Sequence, residues 1–317
     1  MDWRLLPILL LAAPSAIPPT HIYTALNGRP RYLDSFLFCL GMQTPLSPNT
    51  LNAGEYPACA ALTNGHVFRV ENQATVMYLQ RLARTGHLLT LEVGYGSPQR
   101  ENRPLVYAPA SALLSSLIFH GTIDPYVLIT ILILLSSRLL SIASLRARTA
   151  PSWHGASEPG VQGDLLVLLA EDGWIRLKGA VDDLKAVTSG SWLSRRPHNP
   201  RLADAMDWTA RLLVYFSIVV LANASDQGKM GLAVSILLGH ASLALVNART
   251  EQLAMNDRII KVSQLPGSVK KYSRRLEMAE DLVKEVGRSD FAVRLGIIKP
   301  DTDRQGQGAP DNEVVTM

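Results

Sequence analysis

The chain has 317 residues, a formal net charge of +4 and a pI near 9.1. With 47% hydrophobic residues and a mean hydropathy of +0.11, it is too polar for a compact transporter made only of spans and fits a few membrane helices joined by polar regions. The basic excess is small and no aromatic-interleaved basic platform accompanies it, so nucleic acid is not an expected partner.

Residues 1–19 have the layout of a secretory signal peptide. Arg4 precedes a short apolar core, Leu5 to Ala13, and the small residues Ala13-Pro14-Ser15-Ala16 follow. Asp2 and Pro7 fit that reading poorly, and an uncleaved N-terminal anchor is its alternative.

Residues 20–104 read as a small mixed α+β region on the luminal or extracellular side. Alternation over His66 to Val70 predicts a strand. Ala74 to Arg84 has helical spacing, with Val76, Leu79 and Leu82 on one stripe and Gly86 as the C-cap. Leu88 to Val93 is a second strand, stopped by Gly94-Tyr95-Gly96-Ser97-Pro98. The region holds both cysteines, Cys39 and Cys59. In an oxidising compartment they would form one disulfide, worth about 3 kcal/mol by loop closure; otherwise they are two buried thiols.

Residues 105–145 form the first membrane segment, with the main span at residues 125–145. Pro125 to Leu145 is the longest apolar run and carries one charge, Arg138. As a helix it spans about 30 Å, the thickness of a bilayer's hydrocarbon core. Ala108 to His120 is shorter and reads either as the first arm of a hairpin with that span or as an interfacial helix. Arg146 and Arg148 mark the cytoplasmic end.

Residues 146–207 then form a polar cytosolic loop. In it Leu165–Ala170 and Trp174–Lys178 flank Glu171-Asp172-Gly173, a hairpin signal. Val181 to Val187 reads as a short helix with Asp182 and Asp183 in its first turn. Residues 208–248 are a transmembrane hairpin, built from Asp207–Ala224 and Met230–Val246. Residues 249–317 are a basic cytosolic tail with an amphipathic helix, Leu276 to Val286, and a disordered end from Lys299.

The fold class expected is a mainly α membrane protein with three to five transmembrane helices, a small mixed α+β N-terminal unit and a polar middle loop. It belongs in the secretory pathway or plasma membrane. Two topologies fit the charges. In the favoured one residues 20–104 are luminal and Pro125–Leu145 is the first crossing. In the other, the first segment and Ala108–His120 both span, and residues 20–104 are cytosolic. The middle loop and tail are cytosolic in both.

Candidate chemistry is sparse. The histidines have no metal-ligand spacing, and no nucleophile, phosphate-loop or dinucleotide motif is present, so no catalytic residue, metal or cofactor is assigned. Arg138 reads as a snorkelling side chain, with the lining of a polar pathway as the alternative. His240, inside the second arm of the hairpin, needs a polar partner: an interhelical hydrogen bond, or a relay or ligand site. Asn223-Ala224-Ser225 is an N-glycosylation sequon placed almost at the membrane surface, where it would be modified poorly. The basic residues Lys270, Lys271, Arg274 and Arg275 suit anionic lipid headgroups.

The run Gly173-Trp174-Ile175-Arg176-Leu177-Lys178-Gly179, continuing Val181 to Leu193, resembles a segment of an uncharacterised group of fungal integral membrane proteins. Arg69 to Thr75, Gly94 to Arg100 and Arg275 to Glu280 are similar to the same group. The resemblance implies a multi-pass membrane protein and carries no activity and no functional residues. The function expected is a non-enzymatic accessory, scaffold or sensor. Its partners would be the bilayer, cytosolic or membrane proteins docking on the 181–187 helix and the Leu276–Val286 stripe, and a second copy of the chain. A small-solute transporter subunit and a membrane-bound accessory enzyme of lipid or secondary-metabolite chemistry are the alternatives.

Overall fold

The computed structural model describes residues 5–13, 17–96, 105–110, 124–149, 155–194, 197 and 199–299. The helices, in chain order, are α1 (Leu6–Ala12), α2 (Pro19–Leu26), α3 (Pro48–Leu51), α4 (Gln73–Leu82), α5 (Pro125–Arg148), α6 (Val181–Thr188), α7 (Pro200–Ala222), α8 (Asp226–Arg249), α9 (Arg275–Val286) and α10 (Asp290–Arg294). The strands are β1 (Ala58–Ala61), β2 (Val67–Arg69), β3 (His87–Tyr95), β4 (Gln162–Leu168), β5 (Trp174–Ala180), β6 (Gln252–Met255), β7 (Arg258–Val262) and β8 (Val269–Lys271). The chain divides into two interleaved compact units. The first comprises Met1–Gly54, Pro98–Pro151 and Trp192–Met255; the second comprises Glu55–Ser97, Ser152–Ser191 and Asn256–Met317.

The first unit is helical. Among the described residues α5, α7 and α8 are long and apolar enough to cross a membrane, by length and composition. Each starts on a side-chain cap. Asp124 accepts from the Tyr126 N–H, Asn199 from Leu202 and Ser225 from Gly228. The buried positions of α7 are Ala203, Ala210, Val214, Ser217 and Leu221, which repeat every 3.5 residues and form a seam. Small residues on that seam let α5 approach closely, and the hydroxyls of Ser137 and Ser144 donate across it to the carbonyls of Ala210 (2.7 Å) and Ala203 (3.1 Å). The two helices run antiparallel. Asp124, at the start of α5, accepts the backbone N–H of Ser225 beyond the end of α7, while Arg148, at the end of α5, pairs with Asp204 and Asp207 near the start of α7.

The N-terminal segment is built into this bundle. Leu11 of α1 and Tyr23 of α2 lie in the same apolar core as Leu134, Val214 and Ile236. Gln43 donates to the carbonyl of Ala13, Asn247 to that of Pro19, and the Trp192 indole to that of Gly28. Gly239 of α8 faces the Phe38 carbonyl so closely that a methyl group there would overlap it.

The second unit is a mixed sheet. β4 and β5 form a hairpin in full register, from Gln162↔Ala180 to Leu168↔Trp174. The turn holds Glu171 and Asp172 at φ values of 59° and 55°, a left-handed conformation that aspartate tolerates better than glutamate. β1 pairs antiparallel with both β2 and β4. β3 lies parallel to β5 and antiparallel to β7 and β8. Side chains alternate across the sheet. On one face, Leu184 of α6 packs where Gly163 leaves room for it. On the other, Leu88, Leu166 and Trp174 share a core with Met278, Ala279 and Leu282 of α9 and with Phe291 of α10. Each of the fully buried leucines contributes about 1.5–3 kcal/mol.

Several sequence expectations change here. The domains do not follow one another along the chain. Strands from residues 58–95, 162–180 and 258–271 share one sheet, although the sequence pattern assigns them to three separate regions. The basic tail holds β7 and β8 rather than only a helix. α4 ends in an extended Ala83, and Gly86 belongs to the following turn, where its N–H meets the Asp172 carbonyl. The small residues 14–16, the segment 111–120 and the tail 300–317, which carried the cleavage, hairpin and disorder expectations, lie outside the described residues.

Candidate functional site

In the first unit one cavity opens between α5, α7, α2 and residues 42–46. It is polar although two of its walls are apolar helices: His21, Thr24, Gln43, Arg138, Ser141 and Asp207 all reach it. α5 supplies Arg138, Ser141 and Arg148 at spacings of three and seven, hence on one face. α7 supplies Asp207 and Arg211 at i and i+4.

Most of these groups are satisfied locally. Arg148 bridges the carboxylates of Asp204 (2.7 Å) and Asp207 (3.0 Å). Arg211 donates Nε to the Asp207 carbonyl at 3.3 Å and lies over the Trp208 ring at 5.2 Å. The Thr24 hydroxyl donates to the carbonyl of Thr20.

Arg138 differs. It is only 6% exposed, its Nε has no hydrogen-bond partner, and no carboxylate pairs with it among the described residues. The Arg138 side chain turns into the protein, onto the cavity, rather than along the outer surface of the helix as snorkelling requires. Gln43, 8% exposed, leaves its Oε1 unpartnered on the same cavity. A buried guanidinium N–H and a buried amide oxygen without partners are each costly.

The other sequence candidates are scattered. His240 lies on α8 with its Nδ1 buried and unpartnered among the described residues, so the interhelical hydrogen bond expected for it is not made through that atom. Asn223 is exposed at the turn between α7 and α8, where its amide donates back to Val219, and Ser225 of the sequon is occupied as the α8 cap. The pairing considered for Cys39 and Cys59 is not present. Both thiols are free and buried, Cys39 in the helical core of the first unit and Cys59 on β1 of the second.

The basic run is partly neutralised. Lys270 pairs with Asp281 at 3.0 Å and Arg275 with Asp172; Lys271 and Arg274 remain exposed. The two expected docking surfaces are largely used within the second unit. Leu184 and Val187 of α6 and Ala279 and Leu282 of α9 are buried there, while Leu276 stays exposed.

The second unit has its own buried charge, fully paired. Arg176 on β5 binds the Asp164 carboxylate through Nε (2.8 Å) and Nη2 (2.6 Å) and reaches Glu285 of α9 through Nη1 at 2.9 Å. Arg258 pairs with Asp183 at 2.8 Å and stacks 4.0 Å above the Tyr95 ring. These groups fasten helices to the sheet. Among the described residues no cluster of His, Cys, Asp and Glu could hold a metal ion. No family model matches the chain, and no curated protein and no solved structure matches it.

Proposed function

We propose that the chain is a multi-pass membrane protein that displays one folded sheet domain on the cytosolic face and acts as a non-enzymatic scaffold or sensor. The observation that carries this reading is the sheet itself, whose strands come from three stretches separated by α5 and by the α7–α8 hairpin. A sheet lies on one side of a bilayer. Helices between its strands must therefore come in pairs that leave and return.

The outer surface of the helices supports membrane insertion. Leu202, Trp208, Leu212, Tyr215, Phe216 and Val219 of α7 are all exposed, and α5 and α8 add Leu132, Leu139, Leu237 and Leu238. Such continuous apolar exposure suits lipid rather than water. Hydroxyls on these helices return to their own backbone. Ser136 donates to Leu132 and Ser242 to Gly239, as a medium without water demands.

The α7–α8 hairpin is one pair of crossings. α5 is a single crossing, and it starts at the end of the bundle where α7 meets α8. A single-sided sheet then calls for one more crossing between Tyr95 of β3 and Asp124, a stretch that lies mostly outside the described residues. Arg146, Arg148, Arg201 and Arg249 all belong to the opposite end of α5, α7 and α8, which assigns that end to the cytosol. Cys59, on β1 of the sheet, then lies in a reducing compartment, in accord with its free thiol. Glycosylation acceptors inserted at Gly54, Gly160 and Gly267, all open loop positions, test this. None should be modified in microsomes. Modification of one and not the others would overturn the single-sided domain.

A further inference from the structure

We infer that the cavity at Arg138 is a binding site for a phosphate monoester group, such as the headgroup of an anionic lipid. This rests on the bundle's placement in the membrane.

The charge balance points to an anion. The cavity's wall carries three guanidinium groups, Arg138, Arg148 and Arg211, against one carboxylate, Asp207, while the buried Asp34 acts on Arg138 from outside the wall, held by the Tyr107 hydroxyl and the Arg31 N–H. Arg148 consumes that carboxylate together with Asp204 outside the wall. Arg138 is left as a buried cation with its Nε unbonded. Guanidinium suits planar, bidentate recognition of oxyanions, and a desolvated one attracts them strongly.

The unpartnered oxygen of Gln43 narrows the class. A group that satisfies both residues offers an anionic oxygen to Arg138 and a hydroxyl to Gln43 Oε1. A singly protonated phosphate monoester carries both, and a fully ionised carboxylate carries only the first. Met42, Leu46, Ile142 and Leu145 line the same cavity, so an acyl or glycerol portion finds apolar wall beside the polar floor. The cavity runs along α5 from Arg138 to Arg148, about 15 Å, so a headgroup that reaches Arg138 enters from the Arg148 end. The same phosphate chemistry could arrive on a soluble molecule.

The test uses full-length protein purified in an uncharged detergent. Dioleoyl phosphatidic acid, dioleoyl phosphatidylcholine and inorganic phosphate are titrated separately, with thermal unfolding and native mass spectrometry as readouts. Phosphatidic acid should raise the unfolding temperature and appear as a bound adduct, and phosphatidylcholine should do neither. Protection by inorganic phosphate at similar concentration assigns the site to a soluble phosphate. Arg138→Met should weaken the protective effect at least tenfold, and Arg138→Lys should retain part of it. Ser141→Leu, which fills the cavity and leaves the arginine in place, should block binding as well. No protection by either phosphate probe, or protection unchanged in both Arg138→Met and Ser141→Leu, overturns the inference. Vesicle sidedness measurements report on the membrane placement separately.

Discussion

Cys59 on β1 stands opposite Val167 on β4 in an antiparallel ladder, although the 24-residue helix α5 separates them along the chain. On the proposed membrane placement, that register puts the two stretches in one compartment, because hydrogen-bonded strands cannot be divided by a bilayer.

The state of the thiols follows from the same placement. Burial pushes the Cys59 thiol up, and both cysteines are enclosed. Without reductant, native protein should take up no polyethylene-glycol maleimide. After denaturation in SDS it should take up two equivalents. A disulfide would give none in either state.

The contact at Gly239 predicts a steric effect. Gly239→Leu must displace the Phe38 carbonyl and should cost about 1–3 kcal/mol, read as a lower unfolding temperature in detergent. Gly231→Ala, on the same helix in open space, should be neutral or slightly stabilising, because alanine is the better helix former.

In the second unit Arg176 holds Asp164 and Glu285 together across the sheet and α9. Arg176→Met leaves the Asp164 carboxylate, 18% exposed, without its cation and should cost about 3–5 kcal/mol in chemical denaturation. Glu285→Gln removes the more exposed partner and should cost under about 1 kcal/mol.

Acid should loosen α9 from the sheet. The Tyr272 hydroxyl, donating to Asp281 at 2.5 Å, holds that carboxyl below its usual range, with Lys270 adding to the effect. A depressed carboxyl stabilises the fold fully above its unfolded value, about 3.9, and loses that contribution as the pH falls through its folded value. The denaturation midpoint should therefore drop between pH 5 and pH 3, and by less in Asp281→Asn.

Much of the local structure is legible in the amino-acid pattern. The apolar run of α5, the α7–α8 hairpin, the Glu171-Asp172-Gly173 turn, the short helix α6 and the stripe of α9 all appear as periodicity or turn chemistry. The pairing of β1 with β4 and of β3 with β5 and β7 does not. It joins segments far apart in the chain, and nothing in a local window records it. β7 and β8 were masked by their charge: Arg258, Lys261, Lys270 and Lys271 read as a basic tail, whereas Arg258 and Lys270 are tied down by Asp183 and Asp281. Arg138 is visible as a charge in an apolar run, but its direction is not. Only the packing of α2 and residues 42–46 beside α5 and α7 shows that it turns into a cavity.

The most direct test of the single-sided domain is site-specific labelling in sealed vesicles of known orientation. Single cysteines are placed at four exposed positions by Glu71→Cys, Val161→Cys, Lys261→Cys and Asn223→Cys. Each is exposed to a membrane-impermeant maleimide before and after permeabilisation. Positions 71, 161 and 261 should label together from the cytosolic side, and position 223 only from the other. Labelling of 71 and 161 from opposite sides would contradict the account.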